Sequence, residues 1–471
     1  MSFVSVAFLV FLPIVFAVYW LLQRQLTLQN LSLLLASYVF YGWWDWRFLL
    51  LILLTSFSSY TSGLLLRRSA YKRAILTLNI CLNLGILGFF KYYGFFVDNL
   101  NVLLSQIGIH IDTLTLDIIL PVGISFYTFQ SLSYSIDVYR GKLPATRDAV
   151  AFFTYIAFFP QLVAGPIERA TNLLPQILRP RCFSYAEAVD GLRRILWGFF
   201  KKVLIADNCA VAVNLIWADF EQASALTLLG GMLLFTFQIY GDFSGYSDIA
   251  IGTAKLFGIH LSENFRLPDF SRSIAEFWRR WHISLMTWFR DYLYIPLGGS
   301  RCGAVRTSAN IFIVFLLSGL WHGANWTFVV WGGYNAVLLI LYRFVGGKDK
   351  QTDVPSLKEL PSILFTFLLT AIGWVIFRSS DMADAVNYFS SLGRSLIDMN
   401  LGSLRHGKVA LLYCLILVII EWMQRRRICP LQLEHTLLGR SAVIRWLIYY
   451  MVLTFVFFGR GEEQTFIYFQ F

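Results

Sequence analysis

The stretch SGLWHGANW, Ser318 to Trp326, sets one imidazole between two indoles, inside 36 residues, Thr307 to Tyr342, that contain no Asp, Glu, Lys or Arg. A neutral imidazole can take a proton from a hydroxyl and return it to a leaving group, so His322 suits acid–base chemistry on an oxygen nucleophile. Gly323 and Ala324 leave room for a substrate, while Trp321 and Trp326 keep water out. An ionisable group inside an apolar run marks a pathway or a reaction by default. The alternatives are a structural histidine hydrogen-bonded between helices, or a bend made by Gly319 and Gly323.

A second histidine, His282, sits in EFWRRWHISLMTWFRDYLYIPLGGSR. Taken alone, it reads first as a ring that satisfies a carbonyl or a lipid head group. Asp242, Ser244, Tyr246 and Asp248 of GDFSGYSD, and Arg280, are candidates to line a cavity around substrate, with Trp321 beside them. Ser and Asp in such a segment also cap helix breaks. Lys201 and Lys202 of GFFKKVLIADN offer charge to the phosphates of a nucleotide-bearing donor, or equally anchor a helix at the cytoplasmic face. Gly298 and Gly299 read as a turn.

These residues must be positioned by membrane elements. The chain has 471 residues, 57% hydrophobic and 14% charged, far below the roughly 25% charge of soluble domains. Uncharged runs recur at Met1 to Gln23, Gln25 to Trp44, Phe48 to Leu66, Ala74 to Phe90, Ala223 to Gly241 and Pro361 to Phe377. Each approaches the ~20 residues a helix needs to cross a ~30 Å hydrocarbon layer. About a dozen membrane elements are expected, all helical, because open sheet edges are not tolerated in lipid. No room remains for a soluble catalytic domain. The first run follows no basic residue and precedes further spans, so it is expected to remain as a helix rather than leave as a signal peptide.

From Thr307 to Trp321 a helix rises only about 22 Å, which sets His322 within the thickness of the membrane. Proline and glycine in Ile118 to Ile136 and Ala149 to Ile167 (Pro121, Gly123, Pro160, Gly165, Pro166) predict broken or re-entrant segments around a cavity. Ile274 to Tyr292 reads as one interfacial amphipathic helix, with Glu276, Arg279, Arg280, Thr287, Arg290 and Asp291 on its polar side. The basic loops at Arg67 to Arg73 and Arg425 to Arg427 are expected in the cytoplasm, with the amino terminus outside. The net charge of +11 is spread over helix ends, which speaks against a nucleic-acid partner. Six cysteines without CxxC or His/Cys ligand spacing imply neither a metal site nor a disulfide framework. With no internal repeat or linker, residues 1–471 read as a single membrane domain.

The ordered set SGLWHGANW, EFWRRWHISLMTWFRDYLYIPLGGSR, FFPQLVAGPIER, GFFKKVLIADN, QIYGDFSGYSDIAIG, the terminal FIYFQF and the early ASYVFYGWWDWRF covers most of the chain. It resembles the membrane-bound O-acyltransferase family, above all its bacterial alginate O-acetyltransferase branch. The resemblance implies about eleven transmembrane helices with re-entrant and interfacial helices around a central tunnel. It matches the family's catalytic histidine to His322 and its second motif position, a histidine or asparagine, to His282. It further implies acetyl-CoA as a cytoplasmic donor, no permanently bound cofactor, a multi-pass protein of the bacterial inner membrane, a periplasmic acetyltransferase partner, and hydroxyls of a polysaccharide as acceptor. The related branch that transfers D-alanine to teichoic acid shares both histidines and stands second. A transporter or a non-catalytic scaffold subunit is the competing class, although repeated halves and mid-membrane carboxylates, the marks of transporters, are not evident. Outer loops such as Ser379 to Lys408 are candidate partner surfaces.

Overall fold

The computed structural model describes residues 1–109, 116, 118–163, 165–347, 354–434, 436, 438–462 and 464–467. Ala164 of FFPQLVAGPIER and the last four residues of FIYFQF lie outside the described residues. Every regular element among the described residues is a helix, as lipid demands, because a helix satisfies its own backbone polar groups. Six of these are long and apolar enough to cross a bilayer: Trp46–Arg68, Lys72–Gln106, Ala225–Leu256, Ala304–His322, Trp326–Phe344 and Leu357–Arg378. Val6–Leu21, Ala149–Leu162 and Ala442–Phe458 are shorter apolar helices. The protein is a polytopic all-α membrane protein, and each uncharged run read from the sequence falls on a helix. The chain divides into two compact units, Met1–Ala188 with Thr253–Ser262, and Val189–Gly252 with Glu263–Phe471.

In the first unit the proline- and glycine-bearing segments break where expected. Gly123 takes a left-handed conformation (φ 73°) and opens the helix Ile124–Tyr139, which is buried along most of its length. The helix Ala149–Ala157 stops at Phe158, ahead of Pro160. Buried side chains take over the backbone groups released there: Gln161 Nε2 donates to the Tyr155 carbonyl (2.6 Å), and Ser37 Oγ accepts from the Phe159 amide (3.1 Å). Further on, the buried Glu168 carboxylate accepts from Asn172 Nδ2 (2.7 Å) and Ser262 Oγ (3.2 Å).

The second unit holds both histidines. The long helix Ala225–Leu256, whose residues up to Gly252 belong to this unit, runs unbroken for 32 residues through QIYGDFSGYSDIAIG. The capping alternative for this segment is therefore set aside: Asp242, Ser244 and Asp248 cap no break. The carboxylates are instead neutralised from the neighbouring helix. Tyr185–Phe199 widens into a π turn, Phe200–Ala206, before Asp207–Ala218. Across this pair, Lys202 bonds Asp242 and Asp207 (both 2.8 Å), Lys201 bonds Asp248 (2.7 Å), and Arg194 bonds Asp248 (2.9 Å). Such contacts require the backbones to lie close, and Gly198 and Gly245 permit it. A Cβ on Gly245 would stand 2.8 Å from the Gly198 carbonyl oxygen and 2.9 Å from the Lys202 amide nitrogen.

Two other readings change. Ile274 to Tyr292 is not one helix but two, Ile274–Arg280 and Ile283–Phe289, followed by a π turn at Arg290–Tyr294. Its polar side is not uniformly solvated either, since Glu276 and Arg280 are buried as an ion pair at 2.6 Å. Burial works to raise the Glu276 pKa, but hydrogen bonds from Arg272 and the charges of Arg280 and Arg272 outweigh it and hold the carboxyl below its ordinary value. Ser379 to Lys408 is not a plain loop: Met382–Ile397 is helical, and Tyr388 of that helix donates to the Leu228 carbonyl (2.6 Å).

The tight helix crossing makes a stability prediction. Gly245→Ala is expected to lower the thermal midpoint of the purified protein, by the ~1–3 kcal/mol typical of an overpacked site. Gly333→Ala, where the nearest atom stands 3.6 Å away, should leave it unchanged or raised, since alanine favours the helix. Scanning fluorimetry of the two variants decides, and equal midpoints would contradict the crossing.

Candidate active site

His322 is the last residue of Ala304–His322. Gly323 leaves the helix in an extended conformation, and the Asn325 side chain caps Trp326–Phe344 by accepting from the Thr327 amide (3.0 Å). The two helices therefore form a hairpin joined by three residues. Its arms press together at small residues: a Cβ on Gly319 would overlap the Phe328 carbonyl oxygen, and one on Gly323 would overlap the Phe328 ring. Close approach places Trp331 edge-on to the His322 ring, with centroids 5.2 Å apart. Phe377 closes a second side at 5.5 Å. His322 is buried, at 4% exposure.

His282 lies at the break between Ile274–Arg280 and Ile283–Phe289. Its backbone is left-handed (φ 44°, ψ 52°), a region in which most side chains are strained and asparagine, aspartate and histidine are comparatively enriched. Phe243, from the long helix, meets the ring edge-on at 4.6 Å, and Phe265 lies parallel to it at 6.5 Å. The two imidazole centroids stand 6.4 Å apart, with Trp321 5.8 Å from His282. Around them Trp281, Trp331 and Trp374 form a continuous wall, Trp374 standing 4.9 Å from Trp281 and 5.5 Å from Trp331. The structure thus brings together two histidines that lie far apart in the sequence, in a setting from which aromatic surface excludes water.

The other sequence candidates distribute between this pair and two further places. Trp321 is at the histidine pair. Asp242 and Tyr246 hold a distal segment: Asp242 Oδ2 accepts from the Ile467 amide (2.7 Å), and the Tyr246 ring packs on Phe466 at 4.3 Å. Ser244 is buried on the same helix. Phe243, between them, is the residue that touches His282, and the sequence reading passed over it because an aromatic in an apolar helix carries no distinguishing signal. The same holds for Trp331, Trp374 and Phe377. Lys202 is enclosed by its two aspartates, whereas Lys201 and Arg280 line a cavity of about 270 Å³. Arg194, Arg266 and the triplet Arg425 to Arg427 also line it, against the carboxylates of Asp248, Glu263 and Glu421. Three of these cations, Arg194, Lys201 and Arg280, are engaged with carboxylates, and the excess of positive charge makes the cavity suited to a multiply charged anion. The sequence showed the arginine triplet only as a membrane anchor.

Residues 143–347 match the profile of MBOAT, the membrane-bound O-acyltransferase family, and that segment contains both histidines. The chain is 42% identical over 424 residues to a Pseudomonas putida protein named "Probable alginate O-acetylase AlgI", covering 89% of this chain and 85% of that one. It is 34% identical over 431 residues to the Helicobacter pylori protein named peptidoglycan O-acetyltransferase, covering 84% and 79%. A Bacillus subtilis protein named teichoic acid D-alanyltransferase is 29% identical over 275 residues, 54% of this chain and 68% of that one.

The left-handed backbone at His282 predicts which side chains fit there. His282→Asn is expected to keep the thermal midpoint of the purified protein, while the β-branched His282→Val lowers its stability by about 1–2 kcal/mol. Scanning fluorimetry separates them, and two equal midpoints would speak against the left-handed turn.

Proposed function

The chain belongs to the membrane-bound O-acyltransferase family, and on that premise we propose that it transfers acetyl from a cytoplasmic donor to hydroxyls of an exopolysaccharide or cell-wall glycan at the bacterial inner membrane. It is an O-acyltransferase. The observation that carries the acyl-transfer chemistry is the pair of buried imidazoles 6.4 Å apart inside an aromatic enclosure. The relatives named for alginate and peptidoglycan O-acetylation, matched over most of both chains, support acetyl as the group and a glycan as its destination.

The proposed reaction begins with acetyl-CoA. His322 accepts the proton of the acceptor hydroxyl as its oxygen attacks the thioester carbonyl carbon. The carbon–sulfur bond then breaks, and the thiolate takes the proton back from the imidazolium. His282 orients the acceptor or polarises the carbonyl oxygen. Water is a competing nucleophile for the same thioester, and the wall of Trp281, Trp331 and Trp374 holds it away. The arginine-lined cavity, flanked by Arg280 and Ile283 on either side of the His282 turn, is suited to the phosphates of the donor. The hydroxyl belongs to the glycan itself or to a periplasmic partner that acetylates it afterwards.

Two measurements test this. In cells carrying His322→Ala, O-acetyl content of the polymer is expected to fall at least a hundredfold at unchanged membrane abundance, the scale of a lost acid–base group. Unchanged acetylation would sink the reading, and incorporation of labelled D-alanine in place of acetate would turn it to the teichoic acid branch. Charge reversal at exposed Arg426 should raise the apparent KM for acetyl-CoA roughly tenfold, the scale of one hydrogen bond to a charged group, with little change in kcat. An unaltered KM would place the donor elsewhere.

A further inference from the structure

Holding a histidine in a left-handed backbone requires contacts on both sides of it, and in this chain they converge on Asn264. The segment around Asn264 runs against the break between the two short helices. The Arg266 amide donates to the Arg280 carbonyl (3.0 Å), and the Ile283 amide donates to the Asn264 carbonyl (2.9 Å). Trp281 and His282 are thus bracketed by backbone hydrogen bonds. The Asn264 side chain adds a second layer. Its carbonyl oxygen accepts from Ser284 Oγ (2.9 Å) and lies 3.4 Å from the Ser284 amide, which also donates to it. Its amide donates to Ser247 Oγ (3.3 Å) on the helix Ala225–Leu256. Asn264 has no exposed surface.

We propose that Asn264 is a positioning residue for His282, its side chain tying the start of Ile283–Phe289 to the long helix so that the imidazole keeps its place opposite His322. The proposal rests on the role given to His282 above. An asparagine suits the task because its carbonyl and amide serve two partners in opposite directions at once. Leucine, of similar size, would leave Ser284 and Ser247 to find other partners in a dry interior. Ser247 lies one turn along from Phe243, which meets the His282 ring. Asn264 therefore links the turn carrying His282 to the helix whose aromatic side chain steadies that ring.

A double-mutant cycle separates positioning from general support of the fold. Initial rates of labelled acetyl transfer from acetyl-CoA are measured in membranes containing the full chain, normalised to its abundance, for Asn264→Ala, His282→Ala and the double variant. The expected result is a loss of at least tenfold in kcat for Asn264→Ala, with KM for acetyl-CoA within twofold. In the His282→Ala background the same change should add less than a factor of two. Equal losses in both backgrounds would overturn the proposal, because Asn264 would then act independently of His282. Full activity of His282→Ala would overturn the role given to His282, and the proposal with it. Full activity of Asn264→Ala beside an impaired His282→Ala would overturn the proposal alone. If Asn264→Ala fails to accumulate, Ser284→Ala removes one of its partners with less disturbance. It should lower kcat severalfold alone and leave the His282→Ala rate unaltered, and an effect of the same size in both backgrounds would again overturn the proposal.

Discussion

A charge removed from water must bring its counter-charge with it, and the architecture of the second unit follows from that requirement. The helix Ala225–Leu256 carries Asp242 and Asp248 through a stretch otherwise apolar enough to cross a bilayer. Lys202, Lys201 and Arg194 meet both of them from an adjacent helix. That meeting demands a crossing tight enough to exclude side chains at its centre, and two glycines supply it. Once the helices are locked in this register, Phe243 and Ser247 are fixed in place, and with them the ring contact to His282 and the anchor for Asn264. The polar network of the long helix thus frames the histidine pair without touching it.

The same economy of charge governs the short helices. Glu276 is shared between Arg272 and Arg280, and Arg272 reaches on to Glu359. The chain of alternating charges allows guanidinium groups to sit at the wall of a cavity while the backbone beside them turns sharply into His282. The imidazoles themselves are surrounded by rings rather than by charged side chains. Aromatic faces and edges contribute area and shape at little conformational cost, so the two imidazoles are held in an apolar frame and the ions are kept one layer away.

Much of the fold was legible from the sequence because hydrophobic runs and their breakers act locally. Each uncharged run became a helix, and Gly123 and Pro160 broke the segments that contain them. The two histidines stood out for different reasons: His322 is an ionisable ring within an uncharged run, whereas His282 alone read as structural and was paired with it only by the family resemblance. What escaped the reading is whatever depends on contacts between distant segments. Nothing in RRWHIS announces a left-handed turn, since no glycine, proline or asparagine marks it, and the conformation is imposed by residues 264 to 266. GDFSGYSD admitted a helix-capping role beside cavity lining because its polarity was weighed without the lysines that meet it. Trp374 and Phe377 were indistinguishable from lipid-facing residues of an apolar helix until their neighbours were known. Arg425 to Arg427 read as an anchor, and only the folded chain sets them beside Arg194 and Arg266.

The three-residue turn of the His322 hairpin also bears on how the protein is made. Ala304–His322 and Trp326–Phe344 are joined by only Gly323 to Asn325, a link that favours their partitioning into a bilayer as a pair. The surrounding apolar length then offsets the transfer cost of the imidazole at the tip. His322 then enters the membrane already shielded by Trp331 from the opposite arm. A substitution that splays the arms, such as a bulky residue at Gly319, would be felt during biogenesis, before any substrate is met.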